Sequence, residues 1–277
     1  MNAIELVGVS KTFGSHGHEK QVLDDVSFTV GEGSSVGLIG ESGAGKSTIA
    51  KVILGMESPS SGDVLVAGEP VRPPRGAAQR LARARRVQIV FQDPYLSLNP
   101  RRTIGDAIER ALRLHGHARG DVRLRAVELL ERVGLGDRER QSRPGLLSGG
   151  QRQRAAIARA LAVRPQTLIL DEAVAALDVS VQAQVLNLLQ DLRDEEGLSY
   201  LFITHNLAVV QYITEEAVVL RGGRVEEHGA TRDLLTAPRT EYTRTLLASM
   251  PRGAAARHEP LSTPAAAPIP HTEGVGR

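Results

Sequence analysis

Residues Gly40–Thr48 read GESGAGKST, and few tasks call for three glycines, a lysine and adjacent hydroxyls at that spacing except holding phosphate. The pattern is G-x-x-x-x-G-K-[ST], set between a short apolar run, SVGLI (35–39), and a helical pattern from Ser47 to about Met56. A strand before it and a helix after it are the context that gives this spacing its meaning. The glycines let backbone N–H groups close around phosphate oxygens, and the helix N-terminus adds its dipole. The residues expected to form the cradle are Gly40, Glu41, Ser42, Gly43, Ala44, Gly45, Lys46, Ser47 and Thr48. Lys46 is expected to reach the β- and γ-phosphates of a nucleotide, and the Ser47 hydroxyl to bind Mg²⁺.

A second group of residues sits at the ends of apolar runs. TLILDE (167–172) brings Asp171 and Glu172 out of a buried strand. Alone, an acidic pair there also suits a solvated strand end. Beside a phosphate loop, Asp171 suits the metal, and Glu172, one residue on and pointing elsewhere, suits a base for an attacking water. Gln92 closes VQIVFQ and His205 closes YLFITH. Strand C-termini are where ligands sit in open α/β sheets, so both are candidates for contact with Mg²⁺, the water or the γ-phosphate. Taken alone, a Gln or His at a strand end is more often a hydrogen-bonded surface residue. Phe13 either stacks on a base or belongs to the core.

The third constellation is LSGGQ (147–151), which opens a basic, alanine-rich helical pattern. Ser148 and Gln151 fit a capping box. Gly149 and Gly150 do not follow from that, because glycine in a helix costs up to about 1 kcal/mol relative to alanine. Removing side chains there lets something approach the backbone, and a helix N-terminus favours an anion. No lysine or metal ligand accompanies the segment. It is half of a phosphate site.

These residues need an α/β frame to bring them together. The chain has 277 residues, 41% of them hydrophobic, enough to build a core. Two alternating runs before residue 31 predict a half-exposed antiparallel layer. Four apolar strands, ending near 39, 91, 171 and 203, alternate with helical patterns and predict a parallel sheet covered on both faces. Helical periodicity over 103–134 forms a block inserted between two of them. Helices are further expected over 151–164, 179–195 and 231–250, with hairpins at GDVLVAGEPV (62–71) and AVVLRGGRVEEHG (217–229). An Arg-rich stretch, Arg72–Arg86, has no interleaved aromatics and reads as a solvated or partner-packed face rather than a nucleic-acid site. Residues 251–277, with five prolines, read as a disordered tail.

The net charge of +2 gives no nucleic-acid-binding charge pattern. With no cysteine, disulfides, thiolate zinc sites and cysteine-ligated iron–sulfur clusters are excluded. Neither a signal peptide nor a membrane-spanning run is expected.

Taken in order, GESGAGKST, Gln92, LSGGQ, LILDE, Ala176-Leu177-Asp178 and His205 resemble the ATPase subunit of an ATP-binding cassette (ABC) transporter over about residues 3–250. The resemblance implies a P-loop cassette over 1–235 with a mostly parallel core sheet, an N-terminal antiparallel β layer and a helical subdomain at about 93–165. It implies ATP and Mg²⁺ as cofactors, and two cassettes that sandwich two ATP head to tail. Ser148, Gly149, Gly150 and Gln151 of one then meet the γ-phosphate held by the other. It also implies Phe13 at the base-stacking position, Gln92 as a metal-contacting Q-loop, Glu172 as catalytic base, Asp178 in the D-loop and His205 as switch histidine. VFQDPYLSLNPR (90–101) and EYTRTLLASMP (241–251) are similar to peptide/nickel importer ATPases, with 236–250 as a C-terminal extension. Two permease subunits, a second ATPase subunit, identical or paralogous, and indirectly an extracytoplasmic solute-binding protein follow, on the cytoplasmic membrane face. Two rivals are an accessory subunit of a carbon–phosphorus-lyase-type complex and a nucleic-acid-associated ABC ATPase. Ala173 replaces the usual proline and Ala175 the usual serine.

Overall fold

The computed structural model describes residues 1–14 and 19–249, so the expected tail at 251–277 lies outside the described residues. Two sheets form the frame. The first is antiparallel, in the order β2-β1-β4-β5, from β1 (Asn2–Phe13), β2 (Lys20–Gly31), β4 (Ser61–Val66) and β5 (Glu69–Pro70). Much of β1 and β2 alternates between buried and exposed residues, as a sheet with one wet face requires.

The second sheet runs β10-β9-β3-β8-β7-β6. Its members are β3 (Ser35–Ile39), β6 (Val87–Phe91), β7 (Thr167–Asp171), β8 (Ser199–Ile203), β9 (Glu216–Arg221) and β10 (Arg224–Ala230). Five are parallel, and β10 returns antiparallel on β9. Every residue of β3 and β8 is buried. One face packs on α1 (Lys46–Ile53) and the antiparallel layer, and the other on the inserted helices. Phe91, Asp171 and Ile203 lie in register, so three expected site segments leave the sheet side by side.

The inserted block contains α3 (Ile104–Leu114), α4 (Val122–Arg132), α5 (Asp137–Gln141) and α6 (Gly149–Leu161). Thr103 caps α3 by accepting the Asp106 N–H at 3.1 Å. The long helix expected from residue 179 is α7 (Val179–Glu196), ended by Gly197 in the left-handed conformation.

Three details differ from the sequence expectation. The Arg-rich stretch carries a helix, α2 (Ala77–Arg86), fastened to the chain itself: Arg83 donates to the Leu54 carbonyl at 3.3 Å and Arg85 to that of His115 at 2.9 Å. A short helix, α8 (Leu207–Ile213), follows His205, capped by Asn206. The single helical stretch expected at 231–250 is two, α9 (Thr231–Thr236) and α10 (Glu241–Ser249), with Pro238 between them. Proline lacks the N–H that a continuous helix needs.

Candidate functional site

The phosphate loop leaves β3 at Ile39 and enters α1 at Lys46. Gly40 and Gly45 have φ of 156° and 110°, and a methyl group added at Gly40 would collide with the Leu220 carbonyl. Only glycine suits both conditions. The ammonium of Lys46 is nearly buried and donates to the carbonyls of Gly40 and Glu41 at 2.7 and 2.8 Å. Burial lowers its pKa, opposed by the carboxylates of Glu172, Asp171 and Glu41.

Asp171 and Glu172 line the same cleft as Lys46. Strict strand alternation would send them to opposite faces. Instead the backbone turns left-handed at Glu172, φ 49°, while its N–H donates to the Ile203 carbonyl at 2.8 Å. A non-glycine residue held in that conformation is of the kind that clusters at functional sites. The Glu172 carboxylate then meets His205 Nδ1 at 3.1 Å. Burial raises the pKa of Asp171, the Glu172 charge raises it further, and Lys46 opposes both.

The cleft, about 520 Å³, is lined from the phosphate loop by Ser42, Gly43, Gly45, Lys46, Ser47 and Thr48, and by Asp171, Glu172 and His205. It also has walls that the sequence did not point to. Lys20, Gln21 and Val22 come from the start of β2, and Gly222 from the turn after β9. No local pattern marks them, since the antiparallel layer reaches the loop only through tertiary packing. Glu41 and Ala44 belong to the loop without lining the cleft, and the buried Ala44 carbonyl accepts the Gly223 N–H at 3.0 Å.

Other expected site residues stand apart from this cleft. Phe13 ends β1 opposite Lys20, exposed enough to carry the Lys11 ammonium 4.7 Å from its ring centroid. It is not a core residue. Gln92 is exposed just after β6, and the α6 residue Gln153 donates to the carbonyl of its neighbour Phe91 at 3.3 Å.

The segment 148–151 also lies outside the cleft. Its capping box is formed: Gln151 N–H donates to Ser148 Oγ at 3.2 Å, and Ser148 N–H donates to Gln151 Oε1 at 3.0 Å. The glycines have separate reasons. A methyl group at Gly150 would collide with Val181 of α7, so this glycine serves packing within the chain. At Gly149 a methyl group would make ordinary contact with Leu177 at 3.6 Å, leaving one side of the helix start open. Asp178 caps α7 through the Val181 N–H at 3.0 Å, and that amide, with the Ser180 hydroxyl, lowers its pKa.

A larger cavity, about 760 Å³, opens at the opposite end of the strands, where Gln166 precedes β7 and Ser199 begins β8. It holds none of the residues expected to do chemistry.

A phosphate loop, an acidic strand end and a histidine in one cleft, on a parallel sheet with an inserted helical block, define a P-loop nucleoside triphosphatase of the cassette type. The family model for ABC transporters matches residues 23–175. A protein named as a peptide import ATP-binding protein from Brucella abortus (strain 2308) is 47% identical over 84% of this chain and 70% of its own length. The oligopeptide transport ATP-binding protein OppD of Mycobacterium bovis is 43% identical over 86% of this chain, but the match spans only 39% of OppD. Among solved structures, a dimeric post-hydrolysis state of the cassette MJ0796 bound to ADP and Pi is 30% identical. It superposes with a TM-score of 0.75 over 83% of this chain and 99% of that one. The chain belongs to the ABC transporter family, as an ATP-binding and ATP-hydrolysing cassette.

Proposed function

We propose that this cassette is the motor of an importer for peptides or related small solutes, working as one of a pair beneath two permease subunits. The observation that carries the reading is that one chain holds two incomplete halves of a nucleotide site. The cleft at 40–48 has the lysine and carboxylates, while the Ser148–Gln151 helix start and Asp178 lie outside it. Two copies arranged head to tail would complete both halves. The cassette MJ0796 is described as dimeric, in agreement.

In this reading Lys46 and the loop amides bind the β- and γ-phosphates. Glu172 takes the proton of a water that attacks the γ-phosphorus; the bond to the bridging oxygen breaks and ADP leaves with phosphate. His205, 3.1 Å from Glu172, holds that carboxylate and senses the γ-phosphate. Phe13 supports the base from the rim.

The donors fit Mg²⁺. Among the described residues no group of three or more His, Cys, Asp or Glu could hold a metal alone, so a cation here would rely on Ser47, Asp171 and the phosphates, with Gln92 reaching in from outside the cleft. That mixed oxygen set suits Mg²⁺, and Asp171 is a half-buried carboxyl at the end of β7, lining the cleft beside Ser47. Bound there, Mg²⁺ would neutralise charge on the transferred phosphoryl group.

The permease side is supported by an exposed apolar group, Tyr95, Leu96 and Leu146, in the turns that follow Gln92 and precede Ser148. Among the described residues no helix is long and apolar enough to cross a membrane, so attachment to one would come through these partners. Peptide-type cargo rests on the relatives' names and on the extension at 236–250. Purification of the tagged chain from membranes in mild detergent tests the reading. Co-isolation of permease subunits is expected; recovery with soluble catalytic subunits alone would sink it.

A further inference from the structure

The helix α10 lies at the end of the described chain, yet it packs behind the phosphate loop. Its start is fixed by Glu227 of β10, whose carboxylate accepts the N–H groups of Arg239 at 2.9 Å and Thr240 at 3.2 Å. Leu246 is 3% exposed and shares a cluster with Val219, Leu234 and Ile39. Ile39 is the residue before Gly40, so the helix shares one hydrophobic cluster with the root of the loop.

Tyr242 makes the second connection. Its ring packs against the same cluster and lies under the guanidinium of Arg221, 4.7 Å from the centroid. Arg221 ends β9, between Leu220, whose carbonyl abuts Gly40, and the turn whose Gly223 N–H is donated to Ala44. The Tyr242 hydroxyl is itself buried, makes no hydrogen bond of normal geometry among the described residues, and has Glu41 of the loop beside it. The Glu41 carbonyl is one of the two that take the Lys46 ammonium. Burial, and then the Glu41 charge, push the hydroxyl above its ordinary pKa.

We infer that α10 is a strut behind the phosphate loop and that Tyr242 is the positioning residue through which it sets the affinity for ATP. This rests on the nucleotide's phosphates occupying residues 40–48. A loop displaced by a fraction of an ångström loses alignment of several amides and of Lys46 at once, although Tyr242 touches no phosphate. A residue that only filled the core would change the folded fraction and leave the affinity of folded molecules alone.

Calorimetric titration of the full chain with ATP, well below a melting temperature measured for each variant without nucleotide, separates the two cases: with the folded fraction near one a core defect leaves Kd unchanged, and irreversibly misfolded molecules lower only the stoichiometry. Tyr242→Ala is expected to weaken ATP about tenfold, with KM rising alike and kcat at saturating ATP within about twofold. Tyr242→Phe, which keeps the stacked ring, should stay within about threefold of the parent. Should the alanine variant fail to fold, Tyr242→Leu keeps the cluster filled but gives up the Arg221 stack, and should show the same rise in Kd. An unchanged Kd with reduced stoichiometry overturns the inference. Lys46→Ala is titrated in parallel: loss of binding there with none in the Tyr242 variants sinks only the strut, whereas retained binding in Lys46→Ala sinks the phosphate site and the strut with it.

Discussion

The carboxylate of Glu172 and the imidazole of His205 meet at 3.1 Å across the ends of two neighbouring strands, β7 and β8. The contact depends on the left-handed backbone at Glu172 and on the register that sets Asp171 beside Ile203. It places the proposed base and the histidine proposed to orient it in the same cleft as the lysine of the phosphate loop.

Glu172→Gln should therefore keep ATP affinity within about twofold while lowering turnover by at least about a hundredfold, the scale of general-base loss. Steady-state hydrolysis and size-exclusion chromatography with ATP check this. A closed dimer should accumulate, and near-normal turnover would remove Glu172 from the role of base.

Lys46→Ala should abolish measurable ATP binding, since charge-assisted bonds to phosphate are lost together with the ammonium that the cleft already surrounds with carboxylates. In nucleotide-free thermal melting the variant should remain folded. Binding at parental strength would place the phosphates elsewhere.

The two signature glycines should fail differently. Gly150→Val forces a branched side chain against Val181 and should destabilise the chain by about 1–3 kcal/mol, as overpacking does. Gly149→Leu should leave monomer stability and monomer ATP binding nearly unchanged, yet prevent ATP-induced dimerisation and hydrolysis. Equal loss of monomeric ATP binding in Gly149→Leu would mean the segment acts within its own chain.

Acid should loosen α10. Burial alone would raise the pKa of Glu227, but the Arg239 amide, then Thr243 and Thr240, outweigh it and the net shift is downward. With the folded pKa below the unfolded one, the group's contribution is fully present above the unfolded value and is lost as pH falls through the folded one. Hydrogen exchange in α10 should accelerate as pH drops below that of a free glutamate, after correction for intrinsic rates. Glu227→Ala should show fast exchange already at neutral pH and cost about 2 kcal/mol, because it leaves two amides without their carboxylate.

Much of the frame was legible because it rests on local chemistry. SVGLI, VQIVF, TLILD and SYLFI are apolar throughout or nearly so; β3, β7 and β8 are buried almost throughout, and β6, at the edge of the sheet, is half-buried. The Arg-rich stretch was harder to read: its helix has no buried residue, so no apolar stripe announced it, and its arginines are held by distant carbonyls. LSGGQ forms the capping box that its spacing predicts, but nothing in the spacing distinguishes its two glycines. The difference between them depends on Val181, thirty-one positions away in sequence, which only the packing of α7 on α6 brings near.

By itself the sequence determined the phosphate cradle, the acidic strand end, the capped signature helix and the family, because each depends on residue types at fixed short spacing. Only the tertiary structure decided that Asp171 and Glu172 share one cleft, that β2 supplies a wall, and that α10 stands behind the phosphate loop. Those relations depend on strand register, a left-handed turn and contacts over long sequence separation, and spacing along the chain carries no record of them.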